Sequence, residues 1–245
     1  MSSILKFFSD NTPEIAMLLT AGPAGLAWAV ACLWLAGYLK RAHGVRTGFT
    51  RKVFHFLIFL TVSAIHVWFG LPAVCLFGGM TTLAIFGAVA LGSGNLLYEA
   101  IAREKDAPHR TFYVVVPYVA TLLGGVVSNM LFGPYALVGY LVTGVGDAIG
   151  EPVGTRYGRH SYRVPSLRPV GPTRTLEGSA AVLVACVVML VVAVAADPGS
   201  CWTLALLWRI PVIAMLCTLA EARSPHGIDN AVLMIGGSWL GWLML

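Results

Sequence analysis

Charged residues are scarce in this sequence, since only 11% of its 245 residues are Asp, Glu, Lys or Arg, whereas 58% are hydrophobic. A soluble domain usually carries about 25% charged residues. Apolar stretches of about 20 residues recur along the chain, and each is long enough to cross the roughly 30 Å hydrocarbon core of a bilayer. The composition therefore excludes an ordinary soluble domain and predicts an all-α, polytopic transmembrane bundle. We expect the lipid bilayer as a partner and no nucleic acid.

Closely spaced cysteines are also lacking, and no cleavable leader is predicted. The N-terminal stretch MSSILKFFSDNTPEIAMLL has no basic n-region and no small-residue cleavage site, so we expect no removable signal or transit peptide, which favours a prokaryotic plasma membrane. Without a repeat or a linker, the chain is predicted to be one integral-membrane domain over residues 1–245. No short cysteine spacing indicates a zinc site or a disulfide framework. The five cysteines are Cys32, Cys75, Cys186, Cys201 and Cys217.

Hydropathy predicts seven or eight membrane-spanning helices, and the short connections GLP and FGP between neighbours leave the count open. Basic residues gather in alternate loops, which predicts that these loops face the cytosol. The same loops carry most of the acids, and a face that bears both signs is typical of a site for a charged ligand. The predicted spans are 14–38, 53–70, 72–92, 112–132, 134–150, 178–196, 202–221 and 228–245.

The stretch GVGDAIGEPVG, residues 144–154, combines small residues with acids. Gly146, Gly150 and Gly154 recur every four residues and form a bare ridge on a helix. This ridge would let phosphates or another helix approach the backbone, and glycines at this spacing are common in membrane helix packing. Asp147 and Glu151 recur on the adjacent face. Two carboxylates one turn apart could share a divalent cation, and Mg²⁺ binds few protein carboxylates together with phosphate and water. Acids at membrane depth are costly without partners, which favours a functional interpretation.

Three further segments carry charge at predicted helix ends. In RKVFH, residues 51–55, Arg51 and His55 lie one turn apart with Lys52 beside them, and cations here could anchor the span or hold a nucleoside triphosphate. TRTLEGS, residues 173–179, opens a span, where Thr173 or Thr175 could cap the helix, or its free N–H groups could bind an anion. In SPHGIDN, residues 224–230, Asp229 could cap the last span or coordinate a metal.

Taken in the order in which they occur along the chain, the four segments resemble the dolichol kinase and phytol kinase family of CTP-dependent polyprenol kinases. The resemblance extends from about residue 50 onward. The motifs that carry the resemblance are RKVFH (51–55), GVGDAIGEPVGTRYGRH (144–160), TRTLEGS (173–179) and, more weakly, SPHGIDN (224–230). One difference is that the family usually has Lys at the position of Arg174, and Arg keeps the charge without the compact ammonium group.

The resemblance implies a lipid kinase that uses Mg²⁺ and transfers the γ-phosphoryl group of CTP to the hydroxyl of a membrane isoprenoid alcohol, such as phytol, farnesol, geranylgeraniol or a polyprenol. The alcohol would enter laterally between the spans, and the active site would face the cytosol. The predicted catalytic residues are Asp147, Glu151 and Lys52, and the predicted metal ligands are Asp147, Glu151 and Asp229. The predicted nucleotide and phosphate contacts are Arg51, Lys52, His55, Gly146, Gly150, Gly154, Arg174, Thr175, Glu177, Gly178 and Ser179.

Two alternatives stay open. A cytidylyltransferase that makes a CDP-activated lipid from phosphatidic acid would use the same nucleotide, metal and membrane, and SPHGIDN resembles the PHG-x-x-D signature of CDP-diacylglycerol synthases. Its products differ, because it releases pyrophosphate whereas a kinase leaves CDP. A transporter is the other alternative, but it predicts charges near the membrane midplane. Here almost all charges are predicted at one face.

Overall fold

Helices make up almost all of the computed structural model, which describes residues 3–167, 173–196 and 202–245. Within these ranges two three-residue strands, β1 (Ser161–Arg163) and β2 (Thr173–Thr175), pair in an antiparallel sheet. The prediction of a helical fold is therefore confirmed. The helices are α1 (Ser3–Asp10), α2 (Ile15–His43), α3 (Thr47–Leu91), α4 (Leu96–Ile101), α5 (Phe112–Phe132), α6 (Ala136–Leu141), α7 (Ala148–Tyr157), α8 (Leu176–Ala196), α9 (Leu206–Arg223) and α10 (Asp229–Met244).

Four stretches of the described chain are long and apolar enough to cross a membrane. They are Ile15–His43, Thr47–Leu91, Phe112–Tyr157 and Leu176–Ala196. A single span needs about 20 residues, whereas the second and third stretches contain 45 and 46 residues. The protein is therefore an integral membrane protein, and the count of seven or eight spans stays a prediction.

Both of the longest stretches are interrupted where the sequence predicts a turn. Gly70 in α3 has φ 74° and ψ −174°, a backbone conformation that side chains rarely adopt, and Pro72 follows it without an N–H to donate. Gly133, with φ 54°, begins the 3₁₀ turn between α5 and α6. The GLP and FGP connections therefore act as breaks in otherwise continuous helical segments.

The chain divides into two compact units, Met1–Val115 and Val116–Leu245. The prediction of a single domain over residues 1–245 stays a prediction. In the first unit, α2 packs against α3 and α4, and small residues allow a close approach. A Cβ on Gly37 of α2 would lie 2.5 Å from the carbonyl oxygen of Leu96 at the start of α4, so these two helices meet with their backbones in near contact.

The core of the second unit lies among α6, α8, α9 and α10. Val142, Cys186, Leu190 and Ile213 belong to one cluster of buried apolar side chains and are each 0% exposed. Outward-facing side chains of the same unit are large and apolar, as expected of helices that face lipid rather than water.

The structure describes four of the five cysteines. The described cysteines are all free thiols, namely Cys32, Cys75, Cys186 and Cys217. Cys201 lies outside the described residues.

Candidate functional site

A π-helical turn carries the first of the two predicted carboxylates. Residues Val142–Asp147 form this turn between α6 and α7, and all six are buried. Asp147 ends the turn with 8% of its surface exposed. A π turn adds a residue to a helical turn and is frequent at functional sites. The structure therefore places Asp147 at an irregularity that the sequence pattern did not reveal.

Glu151 lies one turn after Asp147, in the first turn of α7, and is half-buried. Two carboxylates supply the hard oxygen ligands that Mg²⁺ prefers, while water and phosphate oxygens complete its coordination. The pair therefore fits a magnesium ion chemically. Among the described residues, no group of three or more His, Cys, Asp or Glu side chains could hold a metal ion. The third predicted ligand, Asp229, thus does not form such a group with the pair in this structure.

The glycine ridge faces α8. A Cβ on Gly146 would lie 3.0 Å from the Sγ atom of Cys186, and a Cβ on Gly150 would lie 2.9 Å from Cγ2 of Val182. Further along, a Cβ on Gly154 would lie 2.7 Å from the hydroxyl oxygen of Thr175. The face that these glycines would offer to a phosphate is therefore occupied by α8 and by Thr175 of β2, and the structure favours the packing interpretation of the ridge.

The first turn of α8 is capped from β2. The Thr175 hydroxyl accepts a hydrogen bond from the backbone N–H of Gly178 at 3.1 Å, which satisfies one of the free donors of the helix end. A Cβ on Gly178 would lie 2.8 Å from the carbonyl oxygen of Gly150. Both residues therefore take part in capping and helix contact, and their predicted roles in nucleotide binding stay predictions.

Two polar side chains of this turn contact the chain just before and within β1. The carboxylate of Glu177 accepts a hydrogen bond from the backbone N–H of His160 at 3.3 Å, and its Oε1 lies 2.8 Å from Nδ1 of the same residue. The hydroxyl oxygens of Ser179 and Tyr162 are 2.7 Å apart. These contacts fix the first turn of α8 against the small sheet.

Arg174 in β2 lies between two carboxylates. Its Nε is 2.8 Å from Oε1 of Glu221, and its Nη2 is 2.9 Å from Oδ2 of Asp229. Its Nη1 donates to the backbone carbonyl oxygens of Glu221 and of Ser224, the latter at 3.3 Å. The side chains of Arg174, Glu221 and Asp229 are 16%, 6% and 13% exposed. The predicted phosphate contact of Arg174 and metal contact of Asp229 stay predictions, while in this structure the two side chains bind each other.

RKVFH lies near the start of α3, in the first unit. Lys52 is 7% exposed, Arg51 is half-buried, and the ring of His55 contacts that of Phe59 with 4.5 Å between centroids. Burial of Lys52 is unusual for a residue that only anchors a span, because lysine is rarely fully buried without a partner. The predicted phosphate contacts of these three residues stay predictions.

Two acids between α3 and α5, Glu99 in α4 and Asp106 in the loop that follows it, have partners within the first unit. Oε2 of Glu99 is 2.7 Å from Nη2 of Arg110 and 3.0 Å from Nζ of Lys40. The hydrogen bonds from Arg110, together with those from Lys40, hold the pKa of Glu99 at about 2 despite its partial burial. Arg103 and Asp106 form a second pair at 2.8 Å, with side chains 5% and 4% exposed. Internal ion pairs therefore account for these acids, which the sequence pattern attributed to a ligand.

Sequence reasoning assigned no role to Glu221, His160 or Tyr162. Glu221 is an acid near the end of a mostly apolar helix and is 5% exposed. Burying a carboxylate in a membrane helix costs free energy unless the carboxylate has a partner. The position of Glu221 in the sequence could therefore have indicated a buried ion pair. The two aromatic residues gave no such signal, because their contacts depend on the pairing of β1 with β2.

These features define an integral membrane protein of nearly all-α fold, with a carboxylate pair beside a close contact of two helices. The chain is 27% identical over 237 residues to phytol kinase of Synechocystis sp., in a match that covers 95% of each protein. It is 22% identical to dolichol kinase of Saccharomyces cerevisiae over 250 aligned positions, which cover 95% of this chain but only 42% of that protein. No family model matches the chain, and no solved structure matches it significantly. The resemblance to the phytol kinase and dolichol kinase family that the motifs predict is confirmed.

Proposed function

We propose that this protein is a lipid kinase that transfers the γ-phosphoryl group of a nucleoside triphosphate, most specifically CTP, to the hydroxyl of an isoprenoid alcohol. The observation that carries the proposal is the match to phytol kinase along 95% of both chains. Dolichol, named in the yeast relative, is also an isoprenoid alcohol, so the two relatives agree in substrate class. The assay described below would distinguish phytol, farnesol, geranylgeraniol and polyprenols as acceptors.

Asp147 and Glu151 would hold Mg²⁺, which when bound neutralises charge on the phosphates. Phosphoryl transfer depends mainly on positioning and electrostatic stabilisation. Asp147 is 8% exposed, and interactions between charges are stronger in such a poorly hydrated place than in water. One of the two carboxylates would also accept the proton of the alcohol. A membrane-embedded acid pair thus suits an acceptor that is dissolved in the bilayer.

We further propose eight spans, with the basic loops and the active site on the cytosolic face of a prokaryotic plasma membrane. The breaks at Gly70 and Gly133 support two spans in each of the two longest stretches. Helices α2, α8, α9 and α10 would supply the other four. The alcohol would then reach the acid pair from the lipid phase, between helices.

The decisive experiment incubates the purified protein with Mg²⁺, γ-labelled CTP, ATP, GTP or UTP, and either a panel of lipid alcohols or phosphatidic acid. We expect a labelled lipid phosphate and stoichiometric release of the nucleoside diphosphate. Release of pyrophosphate with phosphatidic acid would instead identify a cytidylyltransferase. Absence of product with every donor and acceptor would refute the proposed function.

Asp147→Asn tests the metal assignment within this function. The variant keeps the shape of the side chain but removes the negative charge, and loss of one group that stabilises a transition state costs about 100- to 1,000-fold in rate. We expect a loss of that order at all Mg²⁺ concentrations, with normal membrane insertion. The matched control is Asp106→Asn, which alters a buried acid of the first unit that pairs with Arg103. Near-normal phosphorylation by the Asp147 variant would contradict the assignment.

A further inference from the structure

We propose that Glu221 is a positioning residue for the acid pair. Together with Asp229 it holds Arg174, and we call these three residues the arginine clasp. The clasp fixes the first turn of α8 against α7, the helix that continues from the predicted metal ligand Asp147. The kinetic part of this inference rests on the proposed kinase function, whereas the structural part can be tested without it.

The clasp joins three separate segments of the second unit. Glu221 lies near the end of α9, Asp229 begins α10, and Arg174 lies in β2. The two carboxylates are 2.8 Å and 2.9 Å from different nitrogens of one guanidinium group. Only a planar fork of donors can reach both carboxylates and a backbone carbonyl at once, so Lys could not replace Arg here without losing contacts.

Backbone contacts bring the α9–α10 connection to the same place. The N–H of His226 donates to the carbonyl oxygen of Pro165 at 2.8 Å, and His226 also forms an isolated parallel bridge with Ser166. In the small sheet Arg174 pairs with Tyr162. The clasp therefore fastens β2 to a connection that already contacts the segment after β1, and its three side chains reinforce a defined junction.

The junction is coupled to α7 through the residue next to Arg174. The Thr175 hydroxyl caps the N–H of Gly178 at 3.1 Å, and a Cβ on Gly154 of α7 would lie 2.7 Å from the same oxygen. No space is left between β2 and α7 at this point. Because close-packed interiors transmit small displacements, a shift of Arg174 would move Thr175 against α7 and misplace Glu151, one turn before Gly154.

Direct phosphate binding by Arg174 is the competing role, and the two roles predict different mutant behaviour. A phosphate ligand would keep part of its function as Arg174→Lys, and Glu221→Gln would leave nucleotide binding unchanged or strengthen it by freeing the guanidinium. A positioning role predicts that both variants weaken nucleotide use, because each opens the same clasp. It also predicts that the double variant is no worse than either single variant, since coupled residues are not additive.

The experiment is this double-mutant cycle, with the steady-state kinetics of CTP and lipid alcohol measured in the presence of Mg²⁺. We expect each single variant to lower kcat/KM for CTP about tenfold, with the KM for the alcohol unchanged. The double variant should show the same loss. Multiplied losses in the double variant, or a normal kcat/KM for CTP in Glu221→Gln, would overturn the proposal.

Hydrogen exchange tests the clasp without any activity. The N–H groups of Leu176 and Gly178 donate to His160 and Thr175 at 3.0 Å and 3.1 Å, so both depend on the position of β2. We expect Glu221→Gln to accelerate exchange of these amides about tenfold, while the interior of α8 is unaffected. Unchanged exchange would overturn the proposal even if the wild-type protein proved not to be a kinase.

A matched control separates positioning from general loss of stability. Asp106→Asn breaks an ion pair whose side chains are 5% and 4% exposed, in the first unit. We expect it to lower thermal stability while leaving both the CTP kinetics of the folded fraction and the exchange of residues 176–178 at wild-type values. An equal effect of this control on CTP kinetics would show that breaking any buried ion pair suffices, and would overturn the specific role of Glu221.

Discussion

Substitution of Gly178 by Ala measures how tightly α7, which follows Asp147 and carries Glu151, contacts α8. The new Cβ would lie 2.8 Å from the carbonyl oxygen of Gly150, 3.0 Å from the Thr175 hydroxyl and 3.4 Å from the Cα of Gly154. Two of these atoms belong to the backbone and cannot rotate away, so α7 and α8 must separate. Overpacking of this kind costs about 1–3 kcal/mol, and the lower entropy of the unfolded chain with Ala offsets about 0.4–1 kcal/mol.

The expected net destabilisation, about 1–2 kcal/mol, corresponds to a decrease in Tm of about 2–8 °C for a chain of this size. Tryptophan fluorescence in detergent would measure it at a fixed heating rate, since unfolding of membrane proteins is often irreversible. The control is Gly236→Ala in α10, where no atom lies within 4 Å of the added Cβ. Equal Tm values for the two variants would refute the packing argument. A Gly178 variant with normal Tm but weak CTP binding would instead support phosphate approach at this glycine.

Two further predictions concern ion pairs at the loops. Glu99→Gln removes a carboxylate that pairs with both Arg110 and Lys40, so we expect a lower Tm near pH 7. Because the pKa of Glu99 falls from about 4.5 to about 2 on folding, the difference from wild type should disappear as the pH decreases through this interval. A difference that is independent of pH would contradict this account. His160→Ala removes a side chain that is 73% exposed and pairs with Glu177. Since exposed ion pairs contribute little to stability, we expect an unchanged Tm and phosphorylation within about threefold of wild type. A larger loss of activity would show that this pair contributes to the reaction.

Hydropathy and turn residues predicted where helices break. GLP and FGP were expected to separate spans, and the structure interrupts its two longest apolar stretches at Gly70 and Gly133. Several helix ends differ from the predicted bounds, and the predicted span 134–150 is an example, because it continues as a helix to Tyr157. The polar residues after Gly150 end the hydropathy signal, but the ridge of glycines continues to pack on α8. Small residues at a spacing of four were therefore the better guide to the helix than hydropathy.

The interactions of Arg174 could not be predicted from the sequence. Its partners Glu221 and Asp229 lie 47 and 55 positions further along the chain, and a basic residue in a motif suits a phosphate as well as a carboxylate. Only the tertiary contact of β2 with the end of α9 and the start of α10 shows that the partners of Arg174 are these two carboxylates. The π turn that ends at Asp147 could not be predicted either, because it is a property of backbone geometry and not of residue type.

In the second unit, the glycines and the acids of the segment at residues 144–154 have separate roles. The glycines of GVGDAIGEPVG pack against α8. Within this motif, Asp147 and Glu151 therefore remain as the side chains that could bind a ligand. The charge of Arg174 is balanced by two carboxylates within the same unit. The negative charge of a nucleoside triphosphate would therefore have to be balanced by the bound metal and by cations other than Arg174. On the proposed function, we therefore expect phosphorylation to depend steeply on Mg²⁺ concentration in the wild type and in the Arg174→Lys variant alike, because in neither protein would residue 174 neutralise the phosphates.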